Sequence, residues 1–226
     1  MAYLINKKHI FLHIPKTGGT WVDYIIKNSK IDVVKIGHNK HATYDYVCGN
    51  LNFNFDKSRT LRRVLPRVMK NNFNFFCVVR NPLTWYESLF NHLTRSKFKK
   101  FGQPGNHFNW HIWSKLSEIE PGNFNGFMEQ LLKIAPGYAS FVFDSYILNS
   151  NSLYLKKESL RYDLLKLSRR LDINFNEDLI FSSHKKNVSD QEQIFWDEGI
   201  YKKILYYDKV SFEKFDYDTS NIVQIL

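Results

Sequence analysis

The loop Pro15-Lys16-Thr17-Gly18-Gly19-Thr20 combines the residue types that bind an anion. Glycines have no Cβ, so backbone N–H groups can approach an anion closely. Lys16 adds a full positive charge, and the hydroxyls of Thr17 and Thr20 add hydrogen-bond donors. We therefore expect this loop to bind a phosphate-like group, although the two glycines alone would also suit a plain turn.

The residues on either side of the loop predict a strand before it and a helix after it. Residues 9–14 form a short apolar run that ends at Pro15, which is typical of a buried strand. From residue 20 to residue 28, one helical face is apolar (Trp21, Val22, Ile25 and Ile26), with Thr20 as the expected N-cap. The N-terminus of that helix would add a partial positive charge and unpaired N–H donors to the loop.

The loop differs from the Walker motif of nucleotide kinases, G-x-x-x-x-G-K-[ST]. Lys16 precedes the glycines, and no glycine lies five residues before it. The most apolar run, residues 73–79, is the predicted central strand, and it ends at Arg80 instead of at a magnesium-binding acid. A cation at that point suits another phosphate, which favours metal-free group transfer over kinase chemistry.

Two of these segments resemble the sulfotransferases that use 3′-phosphoadenosine 5′-phosphosulfate (PAPS). Residues 11–21, Phe-Leu-His-Ile-Pro-Lys-Thr-Gly-Gly-Thr-Trp, resemble the family's 5′-phosphosulfate loop. Residues 78–82, with Ser88 eight residues after Arg80, resemble its 3′-phosphate motif. The carbohydrate branch, with the heparan sulfate 2-O and 6-O enzymes, is the most similar. Residues 155–164 resemble its later strand–helix segment, and residues 187–189 resemble a C-terminal segment near the nucleotide.

The resemblance implies a role for each nucleotide-binding residue. Lys16 would hold the 5′-phosphate and the bridging oxygen, where negative charge grows as the sulfate leaves. Arg80 and Ser88 would bind the 3′-phosphate, and the planar guanidinium suits phosphate oxygens. PAPS would be the donor and adenosine 3′,5′-bisphosphate (PAP) the product, with no metal. The expected nucleotide-binding set is Lys16, Thr17, Gly18, Gly19, Thr20, Trp21, Arg80, Ser88, Lys186 and Asn187.

The resemblance also indicates a catalytic base. Residues 41–44, His-Ala-Thr-Tyr, resemble the His-Ala-x-aromatic segment that carries the catalytic histidine of the 6-O-type enzymes. Transfer to a hydroxyl needs a base, and histidine, with an ordinary pKa near 6.5, is suited to it. We expect His41 to be that base, acting beside Lys16. His38 is the alternative, acidic bases at Glu87 or Glu118 are less favoured, and His13 is expected to be structural.

The order of predicted elements indicates an α/β fold, with a P-loop-like, mainly parallel sheet flanked by helices. The whole chain, residues 1–226, is predicted to be one sulfotransferase-like domain, with an acceptor-side helical and loop insertion at about residues 96–150. That insertion holds a cluster of His107, Trp110, His111 and Trp113, which is expected to pack internally or to stack on a sugar ring. Further strands are predicted at residues 31–36 and 153–156, and helices at 59–69, from Pro82 to Leu93, 123–134, 160–171 and 190–207.

The composition of the chain limits its partners. The 226 residues carry a formal net charge of +10, which favours anionic partners (nucleotides, nucleic acid, anionic sugars or membrane surfaces) or serves solubility alone. The absence of a long arginine or lysine tract argues against a nucleic-acid tail, though not against a basic groove. The two cysteines, Cys48 and Cys77, form no CxxC pair. Residues 1–8 have no apolar signal core, and no stretch approaches the roughly 18 apolar residues of a membrane span, so we expect a cytoplasmic protein.

The sequence thus predicts a PAPS-dependent sulfotransferase whose acceptor is a hydroxyl, on a saccharide according to the resemblance. Two other classes stay open at this point. One is a divergent nucleotide kinase that uses magnesium and ATP. The other is a non-catalytic module that binds polyanions.

Overall fold

The computed structural model describes residues 2–37, 41–48, 73–94, 116, 119, 122–147, 152–182 and 194–219. The chain forms two compact units: Met1–Arg80 with Asp144–Val188, and Asn81–Phe143 with Ser189–Leu226. The predicted helix at 59–69 and the His/Trp cluster at 107–113 lie outside the described residues. A single domain with an acceptor-side insertion stays a prediction.

The first unit contains a five-stranded sheet in the order β3-β1-β2-β4-β5. Strands β2, β4 and β5 pair in parallel, and β1 is antiparallel to both β2 and β3. Since β3 then runs with β2, every strand except β1 points the same way, which confirms the α/β class with a mainly parallel sheet. The strands are β1 Ala2–Ile5, β2 His9–Leu12, β3 Val33–Ile36, β4 Asn74–Val79 and β5 Leu153–Lys156.

Helices flank the sheet and make up most of the second unit. In chain order they are α1 Gly19–Lys27, α2 Pro82–Thr94, α3 Phe124–Ile134, α4 Tyr138–Asp144, α5 Leu160–Leu171, α6 Glu177–Ser182, α7 Glu198–Tyr207 and α8 Lys209–Lys214. Residues 44–48 are also helical. Helices α1, α5 and α6 belong to the first unit, together with residues 44–48, while α2, α3, α7 and α8 belong to the second.

Both faces of β4, an interior strand of the sheet, are buried. Successive side chains of a strand point to opposite faces, so Phe76 and Val78 share one face and Phe75 the other. Phe76 and Val78 join a buried cluster that includes the apolar face of α1 and Leu164 of α5. On the opposite face, the ring of Phe75 lies 4.7 Å from that of Tyr44. This two-sided burial explains why the strand is apolar throughout.

A buried carboxylate fixes α1 against the sheet. The Tyr3 hydroxyl of β1 donates a hydrogen bond to Asp23, and the Lys27 ammonium lies 2.9 Å from the other Asp23 oxygen. Burial and the neighbouring carboxylate raise the pKa of Tyr3 to about 12. Asp23 is 8% exposed, so this pairing satisfies a charge that would be costly to bury alone.

Several predicted boundaries differ from the structure. Helix α1 begins at Gly19 with Gly18 as its N-cap, so the expected N-cap at Thr20 was wrong. Gly18, with its left-handed φ of 96°, takes the N-cap position two residues before Thr20. Strand β1 was not predicted from the sequence. The last long helix begins at residue 198 instead of 190, where the Asp197 carboxylate accepts a hydrogen bond from Ile200 N–H at 3.0 Å.

The second unit has its own aromatic core and a buried polar network. The rings of Trp85 and Phe143 lie 5.8 Å apart, and those of Phe143 and Phe215 lie 5.7 Å apart. The fully buried Asp208 accepts hydrogen bonds from the Tyr86 hydroxyl at 2.7 Å and from Ser140 N–H at 2.8 Å. Burial raises the pKa of the Asp208 carboxyl, and burial beside Asp208 raises the pKa of Tyr86 well above its usual value.

Candidate functional site

Three parallel strands end at one edge of the sheet in the first unit. Leu12 of β2 is in register with Cys77 of β4, and Val79 of β4 is in register with Lys156 of β5. The carboxyl ends of β2, β4 and β5 therefore lie side by side. In open α/β sheets, ligands bind at this edge, so the residues that follow the three strands define the candidate site.

The loop after β2 has the backbone of an anion-binding turn. Lys16 has φ 66° and Gly18 has φ 96°, so both are in the left-handed region, while Thr17 between them has a negative φ. Such an alternation can turn successive N–H groups toward one side. The Thr17 hydroxyl is fully buried and donates a hydrogen bond to the Ile14 carbonyl at 2.9 Å. The loop then enters α1, where Trp21 N–H donates a hydrogen bond of 3.0 Å to the carbonyl of the N-cap Gly18, and the partial positive charge of the helix N-terminus favours an anion.

Gly19 is required by the packing of His13. A Cβ at Gly19 would lie 2.3 Å from His13 Cδ2 and 2.7 Å from its Nε2. The His13 side chain is 3% exposed and lies between the strand and the start of α1. Hence the buried imidazole packs closely against the start of α1, and the structural role expected for it stays a prediction.

Arg80 contacts the loop from the end of β4. Its Nη1 donates a hydrogen bond of 3.4 Å to the carbonyl of Lys16. The side chains of Arg80 and Lys16 are both half-buried. The Arg80 side chain thus contacts the backbone of the loop at Lys16, a residue 64 positions earlier in the chain.

A third cation, Lys157, follows β5 and was not assigned a role from the sequence. Its N–H donates to the Val79 carbonyl at 2.8 Å, which continues the β4–β5 pairing by one residue. A Cβ at Gly18 would lie 2.7 Å from Lys157 Cδ, so the lysine stem crosses the loop. A lysine directly after a short strand was visible in the sequence, but its contact with Gly18 depends on the sheet order.

The turn that carries Lys157 is held by Asp163 of α5. The Asp163 carboxylate accepts a hydrogen bond from Lys156 N–H at 2.7 Å and another from the Ser159 hydroxyl at 2.9 Å. A carboxylate in the first turn of a helix is also favoured by the helix dipole. This arrangement fixes the path of the chain between β5 and α5.

His41 lies beside the strand end that leads into the loop. Its Nδ1 is 3.3 Å from the His13 carbonyl oxygen, and the two imidazole rings are 5.0 Å apart and nearly perpendicular. The His41 carbonyl accepts a hydrogen bond from the Tyr146 hydroxyl at 3.1 Å. The His13 carbonyl oxygen can only accept a hydrogen bond, so its contact with His41 Nδ1 favours a proton on Nδ1. Nε2 is then the basic nitrogen of the neutral His41 ring.

The other predicted site residues lie in α1, in the second unit or outside the described residues. Thr20 and Trp21 lie in the first turn of α1, and the Trp21 indole, 6% exposed, packs in the hydrophobic core. Ser88 lies in α2 of the second unit. Glu87, an alternative base, accepts a hydrogen bond from Trp196 Nε1 at 2.8 Å. His38, Glu118, Lys186 and Asn187 lie outside the described residues.

Among the residues that the structure describes, no group of three or more His, Cys, Asp or Glu side chains is placed to hold a metal ion. Within the same residues, no helix has both the length and the apolar character needed to cross a membrane.

The chain is similar to the crystal structure of mouse sulfotransferase SULT7A1 complexed with PAP, at 13% sequence identity and a TM-score of 0.38. The similarity covers 95% of this chain and 68% of that chain. No protein-family model matches the sequence, and no curated protein matches it.

Proposed function

We propose that this protein is a sulfotransferase that moves a sulfuryl group from PAPS to a hydroxyl of a saccharide. The observation that carries the proposal is the contact between Arg80 and the Lys16 loop beside the N-terminus of α1. The two sequence segments that resemble PAPS-binding motifs thus meet at one edge of the sheet. An anion with phosphates at both ends of a nucleoside suits two such cationic positions.

Lys16, Arg80 and His41 each have a defined part in the proposed reaction. The acceptor hydroxyl oxygen attacks the sulfur, and the bond between sulfur and the bridging oxygen of the 5′-phosphate breaks, which releases PAP. Lys16 stabilises the charge that develops on that oxygen. Arg80 binds the 3′-phosphate, and the acceptor proton passes to Nε2 of His41.

The remaining members of the proposed nucleotide site follow the sequence resemblance. These are Thr17, Gly18, Gly19, Thr20, Trp21, Ser88, Lys186 and Asn187. The proposal of a saccharide acceptor is based on that resemblance as well, because the loop and the strand ends contain residues for the donor and none assigned to the acceptor.

A thermal shift experiment without magnesium tests the donor. At about 100 times its dissociation constant, PAP should raise the free energy of unfolding by about 2.7 kcal/mol, and Lys16→Ala and Arg80→Ala should each reduce that shift. Lys30→Ala, which removes an exposed lysine of the same unit, is the matched control and should bind PAP normally. Equal stabilisation by ATP with magnesium would favour a nucleotide kinase, and no response to PAP would refute the proposal.

The same preparation tests the base with labelled PAPS and a panel of oligosaccharides. His41→Asn keeps an amide donor near the position of Nδ1 but removes Nε2, so it should retain PAP binding and lose about 10²–10⁴-fold in transfer rate. A His41→Asn variant with unchanged transfer would contradict the assignment of the base. Turnover on no oligosaccharide of the panel would contradict the saccharide acceptor, and PAP binding without any turnover would favour the polyanion-binding alternative.

A further inference from the structure

The side chain of Lys157 lies against Gly18 of the loop. A Cβ at Gly18 would lie 2.7 Å from Lys157 Cδ and 3.1 Å from Cε, so the outer half of the lysine stem covers this glycine. Gly18 is also the N-cap of α1. The side chain therefore runs across the point where the loop becomes the helix.

The backbone of Lys157 is held on both sides. Its N–H donates to the Val79 carbonyl at 2.8 Å, directly before Arg80. Asp163 accepts hydrogen bonds from Lys156 N–H and from the Ser159 hydroxyl, which hold the turn on which Lys157 lies. The backbone at Lys157 is therefore already ordered, so only side-chain freedom would be lost when the side chain binds a ligand at Gly18.

The half-buried stem has a charged end that prefers polar surroundings. Lysine stems cover apolar surface while the ammonium stays with water or an anion. Leu160 packs at the same point, since its Cδ2 would lie 3.3 Å from a Cβ at Gly18. An uncharged side chain of the same length would pack over Gly18 equally well. A variant that loses only the ammonium therefore tests whether the charge binds a ligand.

We infer that Lys157 is a second lysine for the 5′ side of the nucleotide, and that its ammonium binds non-bridging oxygens of the group held by the loop. This inference rests on the proposed sulfotransferase function and adds a residue to its donor site. Lys16 and Lys157 would then approach the anion from two different strand ends. A nucleotide that lacks a 5′-phosphate would gain nothing from Lys157.

A pair of charge-removing variants tests the inference in the full chain. Lys157→Met keeps an unbranched stem over Gly18 and removes the ammonium, and Lys166→Met makes the same change at an exposed lysine of α5. The affinities for PAP and for adenosine 3′-monophosphate are measured by calorimetry. Lys157→Met should weaken PAP binding about tenfold, as expected for a charged hydrogen bond, and should leave adenosine 3′-monophosphate unchanged. Lys166→Met should change neither.

The outcomes separate this inference from the function on which it rests. If the wild-type chain does not bind PAP, both are wrong. Normal PAP binding by the wild type and by Lys157→Met would overturn the inference alone, as would an equal loss for the two nucleotides. A variant that fails to fold is replaced by Lys157→Gln, for which the same comparison of the two nucleotides decides.

Discussion

Two adjacent glycines in the loop satisfy two different steric demands. Gly18 has φ 96°, a left-handed conformation that side chains disfavour, and it lies under the stem of Lys157. Gly19 is helical, and it is the His13 imidazole that leaves no space for a Cβ there. The Gly-Gly pair is therefore explained by one backbone constraint and one packing constraint.

The packing constraint predicts that Gly19→Ala destabilises the protein. The added Cβ would overlap the buried His13 ring, so we expect a loss of about 1–3 kcal/mol in the free energy of unfolding. Gly122→Ala is the control, since a Cβ there meets nothing within 4 Å, and it should stay within about 0.5 kcal/mol of wild type. Urea denaturation measures both variants. Equal stability of the two would contradict the close packing of His13 on Gly19.

At the scale of elements, the site depends on the pairing of β2 with β4. His9 and Asn74 are in register at the start of this pair, and the Asn74 amide nitrogen lies 3.1 Å from His9 Nδ1. An amide N–H donates to Nδ1 only when that nitrogen is unprotonated. Burial and the nearby charge of Lys8 lower the pKa of His9, which favours the same neutral state.

This contact predicts a dependence of stability on pH. A lowered pKa means that the folded state favours neutral His9, so its contribution is full above the ordinary value of 6.5 and is lost as the pH falls through the folded-state pKa. Between about pH 8 and about pH 5, the wild type should therefore lose more unfolding free energy than His9→Gln, which cannot titrate. Chemical denaturation at several pH values measures the difference. Parallel curves for the two proteins would show that His9 is not held neutral.

At the scale of the whole molecule, each compact unit has its own buried polar pairing. In the first unit it is Tyr3 with Asp23, and in the second it is Tyr86 with Asp208. In the second unit the Tyr86 hydroxyl also accepts a hydrogen bond from Ala139 N–H at 2.9 Å, so one oxygen connects α2 to α4 and to Asp208. Such fully satisfied networks help to select one packing arrangement.

The network predicts that Tyr86→Phe weakens the second unit. Loss of the hydroxyl leaves Ala139 N–H and one Asp208 oxygen without that partner, for which we expect about 1–3 kcal/mol of lost stability. Tyr206→Phe removes a hydroxyl from a side chain that is 76% exposed and should have almost no effect. Thermal and urea unfolding of both variants measure this. Similar stability of the two would mean that the buried hydroxyl contributes little.

The sequence was most informative where a segment is long or chemically distinctive. The twelve-residue α5 has buried leucines at a helical spacing, and its predicted bounds are those observed. Strand β5 was also located correctly from its apolar residues. The short helices α4 and α6 were not predicted, because seven and six residues show too little of a period.

By itself, the sequence determined that a glycine-rich loop with Lys16 joins a strand to a helix, that Arg80 ends a buried strand, and that the fold is α/β. These properties are local, because each depends on residue types within a few positions of one another. Only the tertiary structure decided that Arg80 reaches the Lys16 carbonyl, that His41 lies against His13, and that Lys157 crosses Gly18. Those contacts depend on which strands pair, and strand order is set by the burial of whole faces of the sheet, which no single segment encodes.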